Sequence, residues 1–129
     1  MMVFFNDPLP CDDPPAQAVR MATAMRDRAA ELIALWRRRG HRLGFGMGIA
    51  TGYATLGQLG FEGRFDYGAV GTVANLASRL CAEAGPGQIL VTERVCAEAE
   101  DCATFEPLGE IELKGLSEAV AVFNVERLK

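Results

Sequence analysis

The chain has 129 residues, half of them apolar and 23% charged, which is enough for one globular domain with a sizeable core. Its formal net charge of −4 argues against a nucleic-acid-binding surface. The sequence contains neither a run of about 18 uncharged apolar residues nor a basic-then-apolar leader, so we expect a cytoplasmic domain that does not enter a membrane.

The first predicted elements are a short strand and a long helix. The apolar run from Val3 to Phe5 predicts the strand, and a proline-rich connection follows it. Asp12 or Asp13 is placed to cap the helix, and Gly40 is placed to end it. The predicted buried stripe of this helix has 3–4 spacing and consists of Ala18, Met21, Ala22, Met25, Ala29, Leu32, Ile33 and Trp36. The arginines at positions 37–39 complement the helix dipole, an interpretation favoured over a phosphate-binding patch.

A glycine-rich strand is predicted next, from Arg42 to Thr51. Its alternation places Gly44, Gly46 and Gly48 on one face, which is therefore bare. A bare face lets a strand, a helix or a ligand approach the backbone, and close packing is favoured over ligand contact. Residues 53–70 then predict a hairpin with its turn at positions 60–64.

The last part of the chain predicts two helices and three strands. A helix from Thr72 to Ala84 is followed by a buried strand at positions 88–91, and Thr92 caps a short second helix. A closing hairpin pairs positions 110–113 with 119–125. The element order indicates one α+β domain over residues 1–129, a ferredoxin-like sandwich in which helices pack on one face of a mainly antiparallel sheet.

The cysteines do not form a recognisable metal-binding motif. The four cysteines show no C-x-x-C spacing, and the chain has a single histidine to join them. We therefore expect no zinc site. In a cytoplasmic domain we expect reduced thiols rather than disulfides.

The predicted helix from Thr72 has an unusual polar edge. At about 100° per residue, Asn75 and Arg79 fall together beside the apolar face, one turn apart. An amide and a guanidinium in this arrangement suit the binding of hydroxyls and phosphate oxygens. The alternative is an ordinary solvated helix face, which the same spacing also permits.

The segment around this edge resembles a known family signature. The pattern Y-x-x-x-G-x-x-x-N-x-A-S/A-R-L, from Tyr67 to Leu80, is similar to that of the class III adenylate and guanylate cyclases. The same resemblance extends to MVFFND at positions 2–7, GMGIATGYATLGQLG at 46–60, GPGQILVTERV at 85–95 and LGEIELKGLSEAVAVFNV at 108–125. It covers essentially the whole chain, in the order that the family has.

The resemblance implies a reaction and a set of site residues. The family converts a nucleoside triphosphate into its 3′,5′-cyclic monophosphate and pyrophosphate, and the similarity to bacterial adenylate cyclases favours ATP. Asn75 matches the residue that orients the ribose, and Arg79 matches the one that stabilises charge on the α-phosphate. Lys114 matches the lysine at the terminal phosphates, and Gly68 stands where the family places a base-selecting side chain.

The resemblance also implies what this chain lacks. The family uses Mg²⁺ or Mn²⁺ held by two aspartates, and both would lie upstream of Met1, since Asp7, Asp12 and Asp13 match neither motif. We therefore expect the carboxy-terminal two-thirds of a cyclase domain, nearly inactive alone, that pairs with a second cyclase domain contributing the metal ligands. The alternative is a non-catalytic, cyclase-like module that binds nucleotide or dimerises.

Overall fold

The computed structural model of the chain describes residues 2–6, 9–41, 43–52, 55–61, 64–112 and 119–129, with the backbone alone at 55–61 and 64–70. The elements in chain order are α1 (Pro14–Arg38), β1 (Met47–Ile49), β2 (Thr55–Phe61), β3 (Arg64–Val70), α2 (Thr72–Glu83), β4 (Ile89–Thr92), α3 (Glu93–Glu98), β5 (Ala103–Ile111) and β6 (Val120–Leu128). Within these residues, four strands form a sheet in the order β1-β4-β6-β5, and β2 and β3 form a separate hairpin.

The main sheet is mixed, and its strands confirm the predicted α+β class. β1 runs parallel to β4, whereas β4 and β6, and β6 and β5, are antiparallel. The predicted hairpin at 53–70 is confirmed as the antiparallel pair β2 and β3. None of the described helices is both long and apolar enough to cross a bilayer.

Helices cover both faces of the main sheet, which corrects the expectation that they pack on one face. Ile89 and Val91 of β4 join the larger core cluster with Val19 of α1 and Val95 of α3. Leu90, which points the opposite way, packs with Leu80 of α2 and with Val122 in a second cluster. β4 is therefore buried on both sides, and a strand of this kind requires apolar cover on each face.

The amino-terminal residues do not form the strand that their apolar character predicts. Residues 3–5 have no strand assignment, and Val3 is 46% exposed. A strand forms where its backbone groups meet a ladder partner, and the ladder of β1 in the described chain is to β4. Apolar composition alone therefore does not establish a strand at residues 3–5.

The last hairpin starts earlier than the sequence predicts. β5 begins at Ala103 rather than Glu110, although it contains Pro107 and Gly109. The pairing with β6 continues past both residues, with a register shift between Pro107 and Gly109. At this bulge Gly109 has a φ of 93°. The strand therefore extends seven residues further toward the amino terminus than predicted, with a bulge between Pro107 and Gly109.

The predicted N-cap residues of α3 and α1 differ in whether their side chains cap the helix. Thr92 caps α3 as predicted, because its Oγ1 accepts a hydrogen bond of 3.3 Å from the Val95 N–H. Asp13 occupies the N-cap position of α1, but its side chain makes no cap hydrogen bond and its φ is 48°. The prolines in the first turn of α1 are in the predicted place, since their missing N–H groups need no partner there.

The four cysteines are free thiols. Cys102 is buried, and Cys96 is partly buried. Burial raises the pKa of both thiols, with the carboxylates of Glu100 and Glu93 adding to the rise at Cys96. Both side chains therefore behave as small apolar groups of the core rather than as reactive thiolates.

Arg26 ties α1 to the sheet, and its removal provides a first test of the fold. Its Nη1 donates to the Val125 carbonyl at 2.7 Å and its Nη2 donates to the Glu126 carbonyl at 3.0 Å. We expect Arg26→Ala to lower the free energy of unfolding by about 1.5–3 kcal/mol, since charge-assisted hydrogen bonds are lost. Arg28→Ala, which breaks an exposed pair with Glu31 on the same helix, should cost below about 1 kcal/mol. If urea unfolding showed the same loss of unfolding free energy for Arg26→Ala and Arg28→Ala, the role of Arg26 would be contradicted.

Candidate functional site

Asn75 and Arg79 line one shallow groove on α2. The groove has a volume of about 270 Å³, and Ser78 and Ala82 complete its lining. Asn75 is exposed, and the Arg79 side chain is 48% exposed. The predicted polar edge is therefore present, with the amide and the guanidinium on the same open surface one turn apart.

The opposite face of α2 anchors the helix to the sheet. Leu80 is fully buried against Leu90 and Val122, and Leu76 and Ala84 pack beside this cluster. Because the apolar side of α2 is held in the core, its polar edge has a fixed direction. The groove residues are thus presented by a rigid element rather than by a loop.

The glycines before and within β1 let α2 approach the strand closely. A Cβ on Gly48 would lie 2.4 Å from the Cys81 nitrogen and 2.5 Å from the Ala77 carbonyl oxygen. A Cβ on Gly46 would lie 2.9 Å from the Ala84 Cβ. The predicted close packing is confirmed, and the neighbour is the helix that carries Asn75 and Arg79.

The glycine of the signature sets the start of α2. Gly71 is the N-cap residue, with φ 144° and ψ 169°, a region that is essentially restricted to glycine. Its carbonyl accepts a hydrogen bond of 3.2 Å from the Asn75 N–H. β3 ends at Val70, so Gly71 makes the turn from the hairpin directly into the helix that bears the site.

The other two predicted site residues have different outcomes. The Gly68 backbone lies in β3, opposite Gly57 of β2, four positions before the first residue of α2. Lys114 and the turn that contains it lie outside the described residues. The structure thus brings Asn75 and Arg79 together and places Gly68 on the adjoining strand.

Glu83, which the sequence did not lead us to predict, lies beside the site. Its Oε1 lies 3.8 Å from the Arg79 Nε, and its side chain is 47% exposed. The i, i+4 spacing of opposite charges on a predicted helix was the signal that could have found it.

The described residues do not fit a divalent metal. Between residues 2 and 129, leaving out the undescribed positions, no group of three or more His, Cys, Asp or Glu side chains is placed to hold an ion. Mg²⁺ and Mn²⁺ require several oxygen ligands in one place. We therefore assign no catalytic step through a metal to these residues.

Comparisons with known proteins identify similar domains. Residues 2–126 match the family described as adenylate and guanylate cyclase catalytic domain. Adenylate cyclase 1 of Rhizobium meliloti (strain 1021) is 36% identical over 80 residues, which are 60% of this chain and 12% of that protein. The chain therefore spans only a small part of this curated relative.

Two solved structures resemble the fold over nearly the whole chain. The adenylyl cyclase CyaB from P. aeruginosa has a TM-score of 0.86 at 33% identity, covering 95% of this chain and 64% of that one. The guanylyl cyclase Cya2 has a TM-score of 0.84 at 26% identity, covering 97% of this chain and 64% of that one. The chain thus spans less than two thirds of each of these solved chains.

Proposed function

This chain belongs to the adenylate and guanylate cyclase catalytic domain family, and from that premise we propose that it forms the nucleotide-binding half of a cyclase site. The proposed reaction converts ATP into 3′,5′-cyclic AMP and pyrophosphate in cytoplasmic signal transduction. The observation that carries the proposal is the single groove that Asn75 and Arg79 share on α2. The preference for ATP is supported by the names of two relatives, an adenylate cyclase at 36% identity and an adenylyl cyclase at 33%.

The groove residues suit the groups that change during cyclisation. The ribose 3′-oxygen forms a bond to the α-phosphorus, the bond from that phosphorus to pyrophosphate breaks, and the hydroxyl proton passes to water. We assign to the Asn75 carboxamide the orientation of the ribose, because it both donates and accepts hydrogen bonds. We assign to Arg79 the stabilisation of charge on the α-phosphate oxygens, since its guanidinium presents several N–H donors in a fixed plane.

The remaining assignments rest on the family resemblance. We propose that Lys114 contacts the terminal phosphates and that Gly68 lies beside the base without selecting it through a side chain. We propose further that the carboxylates for Mg²⁺ or Mn²⁺ come from a second cyclase domain, because the described residues offer no such cluster. The site would then be complete only in a dimer.

A second candidate function is a nucleotide-binding or dimerisation module without catalysis. The lack of a metal-binding cluster in the described part of the chain is the observation that favours it. Such a module would bind ATP and a partner domain without restoring turnover in any pairing. The two candidates therefore differ in one measurable property, the formation of cyclic AMP in a mixed dimer.

A complementation assay tests the proposed function. The chain is mixed with a complete homologous cyclase domain whose counterparts of Asn75 and Arg79 are replaced by alanine, with Mg²⁺ or Mn²⁺ present. We expect cyclic AMP formation to recover, because each partner supplies what the other lacks. The matched control uses this chain with Asn75→Ala and Arg79→Ala together, which should give no recovery. ATP binding and a confirmed mixed dimer without recovery would instead support the non-catalytic module.

A further inference from the structure

We propose that Glu83 competes with the nucleotide phosphates for Arg79 and thereby sets the affinity of the groove for triphosphate, an inference that rests on the proposed function. Arg79 lies on α2 between Asn75, one turn earlier, and Glu83, one turn later. The Arg79 Nε lies 3.8 Å from the Glu83 Oε1, so the carboxylate is already paired with the guanidinium that a phosphate would use. A phosphate held by Asn75 and Arg79 would therefore share the guanidinium with the Glu83 carboxylate or displace it.

The ion pair is poorly placed to stabilise the helix. An arginine that precedes a glutamate by four residues is the less favourable order for such a pair. Glu83 is also the last residue of α2, where the helix dipole disfavours a carboxylate, and this last turn contains no basic residue. The helix therefore gains little from Glu83, so a need to stabilise α2 does not explain the pair.

The exposure of Arg79 and Glu83 limits how strongly Glu83 can lower the affinity for phosphate. The two side chains are 48% and 47% exposed, so water screens their attraction. Once a phosphate takes the guanidinium, the Glu83 carboxylate remains within one helical turn of that anion and repels it. Repulsion between charges several Å apart at a wet surface corresponds to about a three- to tenfold loss of affinity.

If Glu83 opposes phosphate binding at Arg79, its effect on affinity should depend on the charge of the ligand. ATP and pyrophosphate should bind more tightly when the Glu83 charge is removed, whereas adenosine has no phosphate and should be unaffected. The gain should shrink from about 20 to about 200 mM salt, because added ions screen the repulsion at an exposed site. KM for ATP in the complemented dimer should fall by the same factor, with little change in kcat.

The test compares Glu83→Gln with a matched pair elsewhere in the chain. Arg94 and Glu98 on α3 form the same i, i+4 arrangement, at 3.4 Å between Nε and Oε1 and with side chains 59% and 41% exposed. We expect Glu83→Gln to tighten ATP binding about three- to tenfold at low salt, and Glu98→Gln to leave it unchanged. Combining Glu83→Gln with Arg79→Ala should abolish the gain, because without Arg79 no phosphate is held beside Glu83. A melting temperature no lower than that of the parent chain would exclude a structural cause.

The possible outcomes separate this inference from the proposed function. If Arg79→Ala weakens ATP binding while Glu83→Gln leaves it equal or weaker, the competition is overturned and the site stands. An equal gain in Glu98→Gln, or a gain that persists without Arg79, would also overturn the competition, since net charge alone would then account for the effect. If the parent chain binds no ATP, alone or in the complemented dimer, the proposed function fails and this inference fails with it.

Discussion

Replacing Arg79 by alanine is expected to lower cyclic AMP formation in the complemented dimer by about 100-fold or more. Removing a donor aimed at developing charge has this effect because the interaction is strongest in the transition state. Arg79 is half exposed and lies outside the core clusters, so the folded structure does not depend on it. We therefore expect a lower kcat together with weaker ATP binding, and a melting temperature close to that of the parent chain.

Two further variants make the Arg79 result specific. Arg94→Ala removes an arginine from a similar exposed pair on α3 and should leave turnover within about twofold, because it lies outside the groove. Arg79→Lys keeps the charge but loses the planar fork of donors, so we expect only partial activity. Turnover by Arg79→Ala equal to that of the parent would remove the role assigned to this residue.

The second large effect is expected from Gly48→Ala. The new Cβ would meet backbone atoms of α2 at 2.4 and 2.5 Å, the Cys81 nitrogen and the Ala77 oxygen, and the Leu80 Cβ at 2.7 Å. Backbone atoms cannot rotate away, so the helix must move from the strand and uncover the Leu80 cluster. We expect a loss of about 3 kcal/mol in the free energy of unfolding, at the upper end of the usual cost of overpacking.

A second glycine provides the control for this packing argument. Gly52→Ala would place its Cβ 3.4 Å from the Val73 Cβ, an ordinary contact, so we expect little change in stability. Urea unfolding of both variants measures the difference directly. A loss for Gly48→Ala no greater than that for Gly52→Ala would mean that α2 does not depend on close approach to β1.

Local sequence signals predicted the elements around the site well. The 3.6-residue period of α2 placed Asn75 and Arg79 on one edge, and the structure confirms that both line one groove. Thr92 capped α3 as its residue type predicts. These signals succeed because a helix turn or a cap is decided by groups only three or four positions apart.

Other predictions failed where the deciding partner is far along the chain. The apolar residues 3–5 were predicted as a strand, but strand formation also needs a neighbouring edge, which composition does not reveal. The last hairpin was predicted to begin at Glu110, but pairing with β6 extends β5 back to Ala103, with a bulge between Pro107 and Gly109. In β5, tertiary pairing rather than local propensity determined the conformation.

Residue spacing along the chain was therefore enough to predict an amide and a guanidinium one turn apart on an amphipathic helix. The contacts that hold this helix in place could be identified only from the packed fold. The sequence left open whether a strand, a helix or a ligand approaches the bare face of Gly48, and the structure places α2 there. It likewise shows that β4 is covered on both sides, by α1 and α3 on one face and α2 on the other. The physical reason is that residue spacing within a helix is local, whereas the cover of a sheet face depends on packing between segments far apart in sequence.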